Sequence, residues 1–206
     1  MLFDVDIIIY MSIYLDLQKA FDKVPHSRLL VKLKGYGVNG SLLSWVADFL
    51  SNRSQFVTVG GKSSKTAPVT SGVPQGSVLV PTLFVYFIND MPDVLDCLIK
   101  IFADDTKAYS SALTSEKCKK LQENIDKLIM WTDQWQLKFN NEKCKVLHLG
   151  KNNPCYKYYM QGNELESTEV EKDLGVHIDK DLSFECHIVE TVKKAKKGCW
   201  YDFPLY

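Results

Sequence analysis

The sequence predicts an α+β protein in which an antiparallel sheet is backed by helices. Two observations support this class: strand-like alternation at Ile99–Ala103 and a helical spacing of apolar residues over 118–135. Turn signals such as Gly60-Gly61-Lys62-Ser63 separate several of the predicted strands, which is typical of hairpins. The chain has 206 residues, 46% hydrophobic and 24% charged, so it is long enough for one globular domain.

The predicted elements follow the chain in a simple order. Before the midpoint they are a strand ending near Leu17, helices within Arg28–Leu50 interrupted at 35–40, hairpin strands Gln55–Val59 and Thr66–Thr70, and a helix starting near Ser77. After it they are the 99–109 hairpin, a long helix capped by Thr114 or Ser115, a strand Val146–Leu149, a hairpin Tyr156–Leu165, a single strand Val170–Ile178 and a basic helix Ile188–Trp200.

Three carboxylates are candidates for one metal site. Asp104 and Asp105 are adjacent, and we place both at the tip of the hairpin. Neighbouring carboxylates repel each other unless a cation lies between them, although Asp-Asp is also ordinary turn chemistry. Asp16 interrupts an apolar run, where an unpaired carboxylate is costly. Three converging aspartates suit Mg²⁺ or Mn²⁺ and two-metal nucleotidyl transfer.

A glycine-bounded loop, Ser71 to Ser77, leads into an amphipathic helix. Gly72 and Gly76 allow the backbone to approach a ligand closely, and the Gln75 amide could position that ligand.

With these segments the chain resembles the reverse transcriptase domain of a non-LTR retrotransposon, of the LINE or jockey type. The matching pieces, in order, are Tyr14 to His26, Gly72 to Ser77, Phe102 to Asp105, Leu137 to Lys143, and Lys172 to Val176. The resemblance covers residues 12–190 and implies a polymerase palm. Residues 1–190 are expected to be this palm-like domain with incomplete fingers, and residues 191–206 the start of a thumb or a tail.

The resemblance implies a role for each matching residue. Asp16 and Asp104 would hold two Mg²⁺ (or Mn²⁺) ions, assisted by Asp105 and the Leu17 carbonyl. The family places nucleotide contacts at Phe21, Gln75 and Gly76, a pyrophosphate acid or charge at Lys143, and the primer grip at Leu174 and Gly175. The substrates would be an RNA template, a DNA primer and deoxynucleoside triphosphates.

Plainer interpretations of these residues stay open. Phe21 could equally be a core aromatic, Gln75 a solvent-facing amide and Lys143 a surface lysine. Gly175 could mark a strand bulge.

Charge and motif departures favour an alternative function. Lys+Arg and Asp+Glu both number 25, whereas nucleic-acid enzymes usually carry a basic excess. Val80 stands where the family usually has Gly, and we expect the fingers and thumb to be absent or supplied by another chain. The alternative is a catalytically silent, retrotransposon-derived fragment that acts at most as a nucleic-acid or protein binding module.

Cysteine usage and hydropathy bear on the compartment. Six cysteines occur without a C-x-x-C pair, which argues against structural zinc and a disulfide framework. The apolar run Ile7–Leu15 is too short to span a bilayer. We expect an intracellular protein, nuclear or cytoplasmic, that is not secreted and has no membrane segment.

Overall fold

The computed structural model describes residues 9–199. Its centre is a five-stranded sheet in the order β11-β8-β1-β7-β6, formed by β1 (Tyr10–Asp16), β6 (Leu98–Phe102), β7 (Asp105–Ser111), β8 (Lys145–Leu149) and β11 (Glu166–Thr168). The predicted α+β class is confirmed. The sheet is antiparallel except at its end, where β11 pairs parallel to β8. This parallel pair departs from the wholly antiparallel prediction.

The remaining strands form small two-stranded sheets. They are β2 (Ser54–Gln55) with β5 (Ala67–Pro68), β3 (Thr58–Val59) with β4 (Lys62–Ser63), β9 (Tyr159–Met160) with β10 (Asn163–Glu164), and β12 (Val170–Asp173) with β13 (Val176–Asp179). The predicted Gly60-Gly61 turn is confirmed, with both glycines at positive φ. Strand β4, however, occupies positions predicted as turn.

Within residues 9–199, five α-helices accompany the sheets: α1 (His26–Gly35), α2 (Gly40–Leu50), α3 (Leu79–Ile88), α4 (Ser115–Trp135) and α5 (Glu185–Cys199). The predicted break between α1 and α2 is confirmed. The predicted cap of α4 is also confirmed, since the Thr114 hydroxyl accepts a hydrogen bond from the Lys117 amide at 3.3 Å. Helix α5 starts three residues before the predicted position, and Trp200 lies outside the described residues. The division at residue 190 falls inside α5 and stays a prediction.

The two faces of the sheet differ because β1 alternates. Met11, Ile13 and Leu15 are fully or nearly buried against the helices, whereas Tyr14 and Asp16 lie half-buried on the opposite face. Burying these apolar side chains stabilises the fold by roughly 2 kcal/mol each. The opposite face is thereby left to polar groups, and the candidate site lies on it.

A buried lysine joins three helices beneath the sheet. Lys32 of α1 forms an ion pair with Asp90, and its Nζ lies 3.8 Å from the centre of the Trp135 ring. Burial lowers the pKa of Lys32 to about 8, because desolvation disfavours the charged ammonium. A second ring, Trp131, donates its indole N–H to Asp90 at 3.2 Å. The group therefore fixes α1 against α3 and α4.

Within residues 9–199, no helix combines the length and the apolar character that crossing a bilayer requires.

Candidate active site

Two of the three predicted carboxylates are paired at one end of the two central strands, and the third lies in the adjoining turn. Asp16, the last residue of β1, is the register partner of Asp105, the first residue of β7. Asp104 lies in the two-residue turn before it, where Ala103 has φ +52°. The hairpin is confirmed, but Asp105 begins the strand instead of sharing the tip with Asp104. Directly opposed residues in antiparallel strands point to the same face, so Asp16 and Asp105 face each other.

The electrostatics of this end favour a cation. The pKa of Asp105 is raised, first by burial and then by the negative charges of Asp104, Asp16 and Asp173. Repulsion of this kind is relieved when a positive ion binds among the carboxylates.

Main-chain hydrogen bonds orient a further oxygen, the Leu17 carbonyl, toward the end of β1 where Asp16 lies. Asn140 donates its amide N–H to the Asp16 carbonyl, and Gln18 donates to Lys138, both at 2.8 Å. Because successive carbonyls of an extended chain point in opposite directions, the Leu17 carbonyl points to the other side, toward the β6–β7 turn.

The donor set fits a hard divalent ion that keeps part of its hydration. Among residues 9–199, no three His, Cys, Asp or Glu side chains are already grouped at metal-holding spacing. The site instead offers carboxylates plus a main-chain carbonyl, the incomplete oxygen set that Mg²⁺ uses when waters and phosphates supply the other ligands.

Two residues between α4 and β8 support Asp16 from the side. Lys143 Nζ lies 3.5 Å from Asp16 Oδ2, and its side chain is 65% exposed. Behind the strand, the Asp16 amide N–H points at the Cys144 sulfur at 3.5 Å. Burial raises the pKa of Cys144 to about 11, so a neutral thiol lies there. Among the lysines that line the cleft, Lys143 is thus the one paired with Asp16.

A hairpin covers the open face of the sheet. The prediction of a single strand over Val170–Ile178 is wrong: the segment breaks into β12 and β13 at Leu174-Gly175, where both residues have positive φ (+45° and +91°). Hairpin and sheet line an open cleft of about 640 Å³ whose lining includes Asp16, Asp105, Lys143, Asp173 and Leu174. We call it the carboxylate cleft. The predicted site residues Asp104, Leu17 and Gly175 are not part of this lining. Because Gly175 lies in the turn between β12 and β13, the interpretation of this glycine as a strand bulge is wrong.

The Gln75 loop lies in a second depression, of about 600 Å³, whose lining includes Lys19, Asp22, Lys23, Arg53 and Gln75. Gln75 Nε2 donates to Asp22 Oδ1 at 3.0 Å. The structure therefore brings Gln75 against the segment that follows Asp16, but outside the lining of the carboxylate cleft.

The loop is anchored to that segment by its backbone. The Gly72 amide donates to the Val24 carbonyl and the Val73 amide to the Phe21 carbonyl, each at 2.8 Å. Gly72 has φ +88°, and a Cβ there would lie 2.7 Å from the Asp22 carbonyl oxygen, so only glycine fits. Gly76 also has positive φ (+89°), with open space where a Cβ would stand.

Phe21 lies in the short 3₁₀ turn Ala20–Asp22 and lines neither depression. Its ring centre is 4.2 Å from that of the buried Phe84 on α3. Phe21 is therefore half-buried and packs against the core.

Sequence reasoning missed three residues of the cleft. Tyr14 and Lys107 are register partners, with the ammonium 5.5 Å from the ring centre, and Lys107 forms an ion pair with Asp173 of the covering hairpin. Burial, followed by the Asp173 charge, raises the pKa of Tyr14 to about 12. The alternation that places Asp16 and Asp105 on this face also places Tyr14 and Lys107 there, two residues away.

Comparison with solved structures defines the class of fold. Apo telomerase from Candida tropicalis, truncated from the C-terminal domain, superposes with a TM-score of 0.59 at 13% identity, over 88% of this chain and 36% of that one. The telomerase from the same organism in complex with a fragment of telomeric RNA superposes with a TM-score of 0.59 at 12% identity, over 88% of this chain and 30% of that one. The fold is that of a polymerase palm.

The sequence matches the family described as reverse transcriptase (RNA-dependent DNA polymerase) over residues 10–184. It is 36% identical over 205 residues to the RNA-directed DNA polymerase from mobile element jockey of Drosophila melanogaster, covering 93% of this chain and 22% of that protein. The jockey RNA-directed DNA polymerase of Drosophila funebris is 35% identical, covering 86% of this chain and 20% of that protein. The chain belongs to the reverse transcriptase family, which confirms the predicted resemblance to non-LTR retrotransposon enzymes. It spans about a fifth of the length of these relatives.

Proposed function

We propose that this domain carries out template-directed nucleotidyl transfer, as the polymerase centre of an RNA-directed DNA polymerase. The observation that carries the proposal is the pairing of Asp16 with Asp105 at the ends of the two central strands, with Asp104 in the adjoining turn. The raised pKa of Asp105 supports it, because it reflects crowding of negative charge that a divalent ion relieves.

The carboxylates would act as metal ligands. Asp16 and Asp104 would be the principal ones, Asp105 would assist, and the Leu17 carbonyl is directed to the same end. Bound Mg²⁺ or Mn²⁺ supplies the charge that activates a primer 3′-hydroxyl and neutralises a triphosphate. Lys143, 3.5 Å from Asp16, would hold a proton or a positive charge for the departing pyrophosphate.

The other predicted residues would position the substrates. Phe21, packed on Phe84, is rigid enough to lie beneath an incoming sugar and to exclude a 2′-hydroxyl. Gln75 and Gly76 would contact the nucleotide or template beside it. Leu174 and Gly175, at the tip of the covering hairpin, would contact the primer end.

The charge distribution supports a nucleic-acid partner. The whole chain is neutral, yet residues 24–75 hold six Lys and Arg side chains, of which Lys32 is buried and paired with Asp90, and a single acidic one, Asp48. Lys19, Lys23 and Arg53 line the depression beside Gln75. A basic region next to the carboxylates suits the phosphate backbone of an RNA template paired with a DNA primer.

Primer extension tests the proposal. The protein is given an RNA template, a DNA primer and deoxynucleoside triphosphates, with Mg²⁺ or Mn²⁺, and is compared with Asp104→Ala. Because the lost ligand is worth several kcal/mol of transition-state stabilisation, extension should fall roughly a hundredfold or more. Asp126→Asn, which changes an exposed aspartate on α4 far along the chain from the cleft, is the matched control and should extend normally.

The alternative, a silent nucleic-acid or protein binding module, predicts a different result. The folded protein would bind the primer–template duplex without extending it, and Asp104→Ala would bind equally well. That outcome would overturn the catalytic proposal, since the basic segment alone would then account for binding.

A further inference from the structure

The covering hairpin has few ties to the sheet beneath it. Strands β12 and β13 form a separate two-stranded sheet, and β13 packs against α5. In the described part of the chain, Lys107–Asp173 is the one ion pair or hydrogen bond that joins these two strands to β1, β6 or β7. Asp173 directly precedes the Leu174-Gly175 turn, so this contact lies at the end that covers the cleft.

The row of residues beneath Asp173 explains why the pair forms. Tyr14, Lys107 and Lys100 are register partners across β1, β7 and β6. Like charges directly opposite each other in a sheet are destabilising, so the two adjacent lysines need a carboxylate nearby. Asp173 supplies it, and the ion pair is well shielded, with side-chain exposures of 25% for Lys107 and 20% for Asp173.

Asp173 lines the cleft together with four other carboxylates, those of Asp16, Asp105, Glu142 and Glu171. Left unpaired, it would add to the negative charge there and be free to turn toward a bound cation. Paired with Lys107, its charge is partly offset and its side chain is held in place.

We propose that Lys107 and Asp173 are positioning residues: their ion pair holds the Leu174-Gly175 turn over the carboxylates and fixes where a primer end can lie. The inference rests on the proposed polymerase function for its primer, but the ion pair itself can be tested without catalysis. None of the roles that the sequence motifs predict was assigned to Lys107 or Asp173.

A double-mutant cycle tests the inference with two readouts. Lys107→Met, Asp173→Asn and the double variant are compared by hydrogen exchange of the amides of residues 170–179 and by fluorescence anisotropy of primer–template binding. Each single variant should lose roughly tenfold in the exchange protection of the hairpin amides and roughly tenfold in affinity for the primer–template. The double variant should lose no more than either single variant, because all three break the same contact. Lys107→Arg should restore both quantities.

Lys180→Met is the matched control. It removes an ion pair with Glu169 at the other end of the same hairpin, where the side chains are 47% and 79% exposed. It should change both readouts less than threefold.

The outcomes separate the two proposals. Additive losses in the cycle, or unchanged hairpin protection, would overturn the inference whether or not the protein extends primers. Lost protection with unchanged duplex affinity would reduce the pair to a purely structural contact, which also overturns it. If extension fails but the cycle gives the expected coupling in both readouts, the positioning role stands and only the catalytic proposal falls.

Discussion

Replacing Gly72 and Gly76 by alanine separates backbone strain from steric overlap in the loop that holds Gln75. The two glycines have nearly the same φ, +88° and +89°. At Gly72 a Cβ would meet three main-chain atoms of Asp22 at 2.7, 2.8 and 2.9 Å, whereas at Gly76 it would meet nothing within 4 Å. Both variants therefore share one penalty, and Gly72→Ala alone has the second.

The expected magnitudes follow from that geometry. An L-residue at positive φ costs roughly 1–2 kcal/mol, which is the whole expected effect of Gly76→Ala. Overlap with backbone atoms that cannot rotate away adds about 1–3 kcal/mol, so Gly72→Ala should lose roughly 2–5 kcal/mol of unfolding free energy. Urea denaturation followed by circular dichroism measures both values. Equal losses for the two variants would refute the close approach between the Gly72 loop and Asp22.

Two further perturbations test other parts of the fold. The pKa of Lys32 is lowered from 10.5 to about 8 on folding, so the unfolded chain holds the proton over that interval and stability rises with pH. The unfolding free energy of wild type relative to Lys32→Met should therefore increase by up to about 3 kcal/mol between pH 8 and pH 10.5, and a pH-independent difference would contradict the burial of the charge. Leu174→Asn should raise the thermal midpoint, with a gain of about 0.5–1 kcal/mol, because asparagine tolerates positive φ and Asn-Gly is the preferred pair for such a turn. A lowered midpoint would mean that the exposed leucine side chain has packing partners.

Local patterns in the sequence predicted the elements that depend on neighbours along the chain. The alternation at 99–103 and the Asp104 turn fix the β6–β7 hairpin, and the apolar stripe of α4 fixes its buried face. These signals are contained within single elements, so no tertiary information is needed to interpret them.

The errors and omissions arise where distant segments decide the structure. Leucine has no preference for positive φ, so nothing at Leu174 signals the turn that breaks Val170–Ile178 into a hairpin. The parallel pairing of β11 with β8 depends on residues about twenty positions apart that carry no shared motif. Lys107 and Asp173 lie 66 residues apart, and each alone is an ordinary surface charge. Such pairs become visible only when the sheet places them together.

The position of β1 in the sheet has a consequence for synthesis on the ribosome. Tyr10 pairs with Ser111 on one side and with Leu149 on the other. Of these three strands, the one that ends in Asp16 is therefore synthesised first, and it gains its second neighbour only when β8 has been made. At about 5–20 residues per second, its apolar residues wait on the order of ten seconds for both neighbours. Pairings this distant along the chain make folding slow and leave the nascent strand open to chaperones or to aggregation in the meantime.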